Sequence, residues 1–347
     1  MIITLPDLYA KSTLDLIGKL NIKELCDIEE DVYFDFKQTK MFNPMPMLVI
    51  GDFIGRVGFQ RKAIGRQTAI ANVHDKTYAG TMGFFKYINE AFPIGKAPGE
   101  APGNENYVPI TELSLPELRN KYNTENSFVG EDGEIMEQEA SKLSITLDRG
   151  NRELHKILTY SIREILRNVP EHSETESMWV CSQYWKTNGQ ASIGILDKGI
   201  GIYNSITKNK VHSQHITDNV SALKWALKAG ISQSLAPDSK QKSKNPWSNS
   251  GFGLYMVSEI CKNLDGVFIL ASEGDYIIVN SHGLFEGKTN IKGTAISITI
   301  DEDKVLNAQA LITEMSKQGE SQAAEIRGAF KEASIPSRTL MTKLGID

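Results

Sequence analysis

Between residues 147 and 301 the spacing of apolar residues switches between helical and strand-like periods, and that order constrains the fold more than any other feature. Over 147–167, Ile157, Leu158, Ile162, Ile165 and Leu166 recur at three- and four-residue steps, which predicts a long helix. Residues 178–184 and 191–196 then alternate as two strands, 221–228 and 254–264 are helical, and 267–271, 276–280 and 295–300 are strands. A helix, two strands, two helices and three more strands imply an α+β sandwich, expected here as a mixed sheet with helices on one face.

Upstream, a βα rhythm predicts strands at 32–36 and 67–73 and helices at 45–57, ending in Gly58, and at 79–91. Residues 107–110 read as a further strand. Together 1–122 form a smaller α/β domain. The run PIGKAPGEAPG at 93–103 predicts a turn-rich loop. The acidic stretch within 123–146 reads as a linker, 232–250 as a long polar loop and 304–347 as a helical tail.

At 347 residues the chain suits about two domains. Its 40% hydrophobic content is enough for real cores, and a formal net charge of −5 provides no basic field, so neither nucleic acid nor an anionic membrane is indicated as a partner. Cys26, Cys181 and Cys261 are scattered, which argues against a disulfide framework or a cysteine zinc site. No run approaches the roughly 18 apolar residues of a membrane span, and the first residues lack a signal-peptide pattern, so a cytoplasmic protein is expected.

Four short segments carry chemistry. Glu164 and Asn168 lie four apart on the long helix and so share a face. Carboxylate and carboxamide oxygens suit Mg²⁺ and its waters, and the carboxylate can act as a general base. Asp197, Gly199 and Gly201 follow the strand ASIGIL, where an acceptor and a flexible backbone can meet a flat base. Gly251, Phe252, Gly253 and Leu254 lead into a helix whose N-terminus can hold an anion. Thr294, after Gly293, opens the last strand, where its hydroxyl can reach a base through water.

In this order and context the four segments resemble the N, G1, G2 and Gly-Thr boxes of the GHKL ATPase superfamily, which includes histidine kinases, anti-sigma-factor kinases, chaperone ATPases, gyrase and mismatch-repair ATPases. The resemblance covers about 147–303 and implies a Bergerat-type α/β sandwich binding ATP with Mg²⁺. It makes Asn168 the Mg²⁺ ligand and Glu164 the catalytic or water-orienting acid. Asp197 would accept the adenine amine, with Gly199 and Gly201 under the base. Gly251, Phe252, Gly253 and Leu254 would form the phosphate turn, and Thr294 would stand beside the adenine. Residues 204–250 then correspond to the ATP lid, with Lys240, Lys242 and Lys244 either phosphate contacts or solvated lysines. His172, spaced as in the anti-sigma kinase version of the box, is either site-lining or a plain surface histidine. Pro170 departs from the pattern and is expected to kink or end the helix. His155 reads as structural. His212 and His215 have no evident third ligand for a metal.

The segment VYFDFKQTKMFNPMPMLVIGDFIGRV is similar to the STAS-like domains of anti-sigma-factor antagonists, where a serine at the loop–helix junction accepts phosphate. Here the junction is Phe42-Asn43-Pro44-Met45-Pro46, with no hydroxyl. The likeness therefore implies a docking or sensing module and no intramolecular substrate in this domain. The resulting expectation is an ATP-driven lid switch or ATPase that regulates a protein partner or works as a homo-oligomer. A serine/threonine protein kinase and a non-catalytic nucleotide sensor are the alternatives.

Overall fold

The computed structural model describes residues 1–126, 131–234 and 250–340. Lys240, Lys242 and Lys244, with residues 235–249 of the lid expected at 204–250, lie outside the described residues. Among the described residues no helix is long and apolar enough to cross a membrane.

Two sheets organise the chain. The smaller is parallel, ordered β1 (Ile2–Thr4), β2 (Val32–Asp35), β3 (Thr68–Ala71). Parallel neighbours need crossovers. Helices α1 (Ala10–Lys19) and α2 (Ile22–Asp27) supply the first, and α3 (Pro44–Ala63) supplies the second. Helix α3 does not stop at Gly58 as expected. Its glycines serve packing: a Cβ on Gly51 would stand 2.7 Å from the Tyr87 ring, and one on Gly55 3.1 Å from the Ile88 carbonyl oxygen. The helix expected at 79–91 is broken into α4 (Thr77–Thr81) and α5 (Phe84–Ile88). Gly83 lies between them at φ +84°, a left-handed conformation that halts a helix.

The larger sheet has seven strands in the order β4 (Tyr107–Ser114), β5 (Ser177–Trp185), β6 (Gln190–Asp197), β10 (Thr294–Asp301), β7 (Val267–Ser272), β8 (Asp275–Asn280), β9 (Gly283–Lys288). Every pairing is antiparallel, where a mixed sheet was expected. Short hairpins join β5 to β6, β7 to β8 and β8 to β9, and a hairpin reverses direction by construction. Strand β9 was not anticipated. It is an edge strand with Leu284 and Phe285 exposed, so it lacks the buried alternation that marks a strand.

The expected linker is instead helical. Helix α6 (Leu115–Asn126) is followed by α7 (Asp132–Leu147), whose Ile135, Met136, Ala140, Leu143 and Leu147 are buried in the main core. Its acidic residues face outward or pair, as Asp132 does with Arg119 at 2.7 and 2.8 Å. Helix α8 (Arg152–His172) packs beside it, opened by Asn151, whose side chain accepts from the Glu153 and Leu154 amides. Helix α8 runs through Pro170, which sits in the last turn, and ends two residues later.

After β6 come α9 (Gly201–Ile206), α10 (Lys210–Ser213) and α11 (Asn219–Ala226). Helix α12 (Gly253–Asn263) precedes β7, and α13 (Ala308–Glu325) and α14 (Ile335–Arg338) close the chain. Helices α8 and α12 cover one face of the large sheet. The other face, expected to lack helices, carries α3, and Cys181, Leu196, Ala271 and Ala295 belong to the same core as Met45, Leu48 and Phe53. Gly194 makes this seat possible, since a Cβ there would lie 2.4 Å from the Met45 nitrogen. The junction at Asn43–Met45 is thus buried against the sheet.

Candidate functional site

A cleft of about 780 Å³, its open mouth included, lies between the end of α8, the start of α9, the turn into α12 and the adjoining ends of β6 and β10. Its lining includes Asn168, His172, Asp197, Gly201, Gly251, Gly253, Leu254 and Thr294, which come from four separate stretches of sequence. The floor is apolar, with Ile165, Ile195, Ile206 and Ile296. Gly199 is not part of the lining and packs closely against the Ser173 carbonyl, and Phe252 is buried in the core. Glu164 is not part of the lining.

The sheet register sets one end of the cleft. Asp197 stands opposite Thr294 across the β6–β10 ladder, and the Thr294 amide and hydroxyl both donate to its carboxylate. The Gly199 amide donates to Asp197 Oδ1 at 2.8 Å. Burial outweighs these bonds, and the Asp197 pKa is pushed up to about 6. Gly201 and Gly293 both have left-handed backbones, at φ +76° and +79°. A Cβ on Gly293 would collide with the Asp197 carbonyl oxygen at 2.1 Å, so this approach demands glycine. Ser272 ties the two turns together: its hydroxyl accepts from the Ile202 amide at 2.9 Å and donates to the Gly293 carbonyl at 2.8 Å.

Asn168 Nδ2 is buried and has no hydrogen-bond partner among the described residues, so its carboxamide has capacity for a ligand in the cleft. His172 also lines the cleft, and burial lowers its pKa to about 4, leaving it neutral at physiological pH. The opposite end is the turn into α12. Gly251 has φ +69°, and a Cβ there would meet the Ile231 carbonyl at 2.4 Å. Among the described residues no side-chain cap of α12 is seen, so its first amides are placed at the helix N-terminus, where an anion is stabilised.

Glu164 sits behind this turn, on the far side of Gly253. A Cβ on Gly253 would lie 2.9 Å from Glu164 Oε2. Glu164 Oε1 accepts from Arg163 Nη2 at 2.9 Å and Nε at 3.2 Å, and Oε2 accepts from the Ser337 hydroxyl at 3.1 Å. Arg163 is fully buried and also meets Glu137 Oε2 at 2.8 Å. His155, His212 and His215 have structural surroundings. His155 Nδ1 is 2.8 Å from Asp148 Oδ2, while His215 stacks on Trp225 and His212 packs beside the same ring.

Several residues that shape the site escaped the sequence reading. Gln233 lines the cleft and donates to the Glu171 carbonyl at 2.6 Å, and Asn209 donates to the Ser232 and Ser234 carbonyls, pinning 232–234 beside the opening. Arg163 and Ser337 control the acid. Asn209 and Gln233 sit in polar stretches with no spacing signal, and Ser337 lies 173 residues from its partner. Arg163, a basic residue within an apolar helix face beside an acid, is the one signal that was available. No protein-family model and no curated protein matches this chain.

Proposed function

We propose that the cleft binds ATP with Mg²⁺ and that the protein is a nucleotide-driven switch acting on a protein partner. The convergence of Asn168, Asp197, Gly201, Gly253 and Thr294 on one cleft carries this reading, because each supplies a contact that a different part of ATP requires. The Asp197 carboxylate accepts the adenine amine, with the base lying over the glycine turns. The α12 N-terminus receives phosphate oxygens. Mg²⁺, when bound, would neutralise phosphate charge, and the Asn168 carboxamide oxygen would hold it. The fold then corresponds to the Bergerat-type sandwich of the GHKL superfamily, and the N-terminal α/β segment to a docking or sensing module.

As folded, both oxygens of Glu164 already accept hydrogen bonds from Arg163 and Ser337. The reading is therefore a switch first, in which ATP favours one arrangement of the lid and its neighbours by binding it more tightly. Isothermal titration of the full chain with ATP, with and without Mg²⁺, is the test. Saturable binding is expected, weakened roughly 10- to 100-fold in Asp197→Asn, the loss of a hydrogen bond to a charged group. In Asn168→Ala the gain in affinity from Mg²⁺ should shrink. Absence of ATP binding by the wild-type chain would overturn the reading.

A further inference from the structure

The end of the chain returns to the acid behind the phosphate turn. After α13, the Phe330 amide donates to the Gly230 carbonyl at 2.9 Å, and the Ser334 amide donates to Ser250 Oγ, beside the turn, at 2.9 Å. Helix α14 is one turn long, and three bonds fix it against α8. The Pro336 carbonyl accepts from Arg163 Nη2 at 2.5 Å, the Ser337 carbonyl accepts from the Tyr160 hydroxyl at 2.7 Å, and the Ser337 hydroxyl donates to Glu164 Oε2. Ser337 is only 3% exposed, which places its hydroxyl inside the fold and not among the surface serines.

This is the arrangement of an activated nucleophile. A hydroxyl stands within hydrogen-bond reach of a base, and the base is itself oriented by a third group, Arg163 on Oε1. The base oxygen that holds the hydroxyl is also the one adjacent to Gly253, which lines the cleft, so acceptor and base stand directly behind the phosphate turn. The Ser334 hydroxyl donates to Ser337 Oγ at 3.1 Å and so directs the Ser337 proton toward Glu164.

We infer that Ser337 is a phosphoryl acceptor in cis, and that this chain phosphorylates its own C-terminal segment. The inference rests on the nucleotide reading above and adds the substrate to it. In the step, the Ser337 Oγ–H proton passes to Glu164 Oε2 and a bond forms between Oγ and the γ-phosphorus of a nucleoside triphosphate. The bridging oxygen leaves with its electron pair on the nucleoside diphosphate. The products are phosphoserine at 337 and the diphosphate, and no oxidant or further reactant is needed. The new group carries about −1.5 to −2 charge in a buried space that already holds Glu164 and the Arg163 guanidinium. A group of that size does not fit where the 3% exposed hydroxyl now packs, so α14 leaves its seat on α8, which exposes the acid and gives the switch a covalent memory of nucleotide.

Full-length protein incubated with Mg²⁺ and γ-labelled ATP, followed by peptide mass spectrometry, tests this. One phosphoryl group at Ser337 is expected, gained at a rate independent of protein concentration. It should be retained in Ser337→Thr and lost in Ser337→Ala and Glu164→Gln. Calorimetry on the same preparations separates the two readings. If ATP binds but position 337 carries no phosphate, or label falls on Ser334 or another residue, the inference fails while the nucleotide reading stands. Faster phosphate release to water in Ser337→Ala would make Ser337 a cap on the acid and overturn its role as acceptor. No ATP binding would overturn both. A nucleotide-free readout adds a separate check. Amide exchange over 333–340 should be faster in Ser337→Asp than in Ser337→Ala, and equal rates would count against expulsion by the added group.

Discussion

At the scale of single residues, Asp197 determines how the cleft responds to pH. Burial holds its pKa at about 6, above the 3.8 of a free aspartate, despite bonds from Gly199 and Thr294. The ionised carboxylate is therefore the form the fold disfavours. For stability, this group alone favours the native state below about pH 4, and that contribution is lost as pH rises through 6. Under the proposed nucleotide reading, binding has the opposite sign, because the ionised carboxylate is the stronger acceptor for the adenine amine. Adenosine is the suitable probe, since it has no phosphate of its own to titrate. Its affinity should fall as pH drops through about 6 and level off above 7, whereas Asp197→Asn should bind weakly with no step in that window. A wild-type profile flat from pH 5 to 8 would place the base somewhere other than at Asp197.

At the scale of elements, the decisive contact is the seat of α3 on the back of the large sheet. The Met45 backbone lies where a Cβ on Gly194 would be, and Asp52 of α3 binds Lys198 Nζ at 2.9 Å, one residue beyond Asp197. Arg56 joins Asp52 at 2.7 Å and donates to the Asn290 carbonyl, near Gly293 and Thr294. Helix α3 thus holds both base-side turns from behind. Gly194→Ala should cost at least 1–3 kcal/mol, as overpacked cores do, and should weaken ATP binding without touching the cleft. Thermal unfolding followed by calorimetry checks both effects, and unchanged values would mean that α3 carries no such load. This contact was not legible in the sequence, because it joins a glycine inside a strand to a helix about 150 residues earlier. The cleft residues were legible because each sits at a helix or strand end, with glycine or a carboxylate at a fixed offset. Helix α7 was hidden because five acidic residues within 131–139 and a glycine dominate its first turns, while the buried stripe of Ile135, Met136, Ala140, Leu143 and Leu147 emerges only over its full length. Ser337 carries no local signal at all, since its meaning comes only from the partner it reaches.

At the scale of the whole molecule, the N-terminal segment and the large sheet share a core. Phe34, Met47, Leu48, Ile50 and Phe53 cluster with Cys181, Leu196, Ile269, Ala271, Tyr276 and Ala295, whose side chains sit on the sheet face opposite α8 and α12. Strand β4, expected in the first domain, is the edge of the same sheet beside β5. A division at 122 therefore cuts through one sheet, and even a fragment starting at residue 104, which keeps β4, uncovers its back face. A contiguous apolar surface of that kind drives association or loss of fixed packing. A fragment of residues 104–340 should bind a hydrophobic dye strongly and lose the sharp thermal transition of the full chain. Added ATP should not restore that transition, because ligand stabilisation acts only on a folded state that can bind. The full chain should show one transition, shifted upward by ATP as a single unit, by about 2.7 kcal/mol at 100 times the dissociation constant. If the fragment unfolds sharply and binds ATP as the full chain does, the two cores are independent, and α3 cannot transmit anything from the N-terminal segment to the cleft.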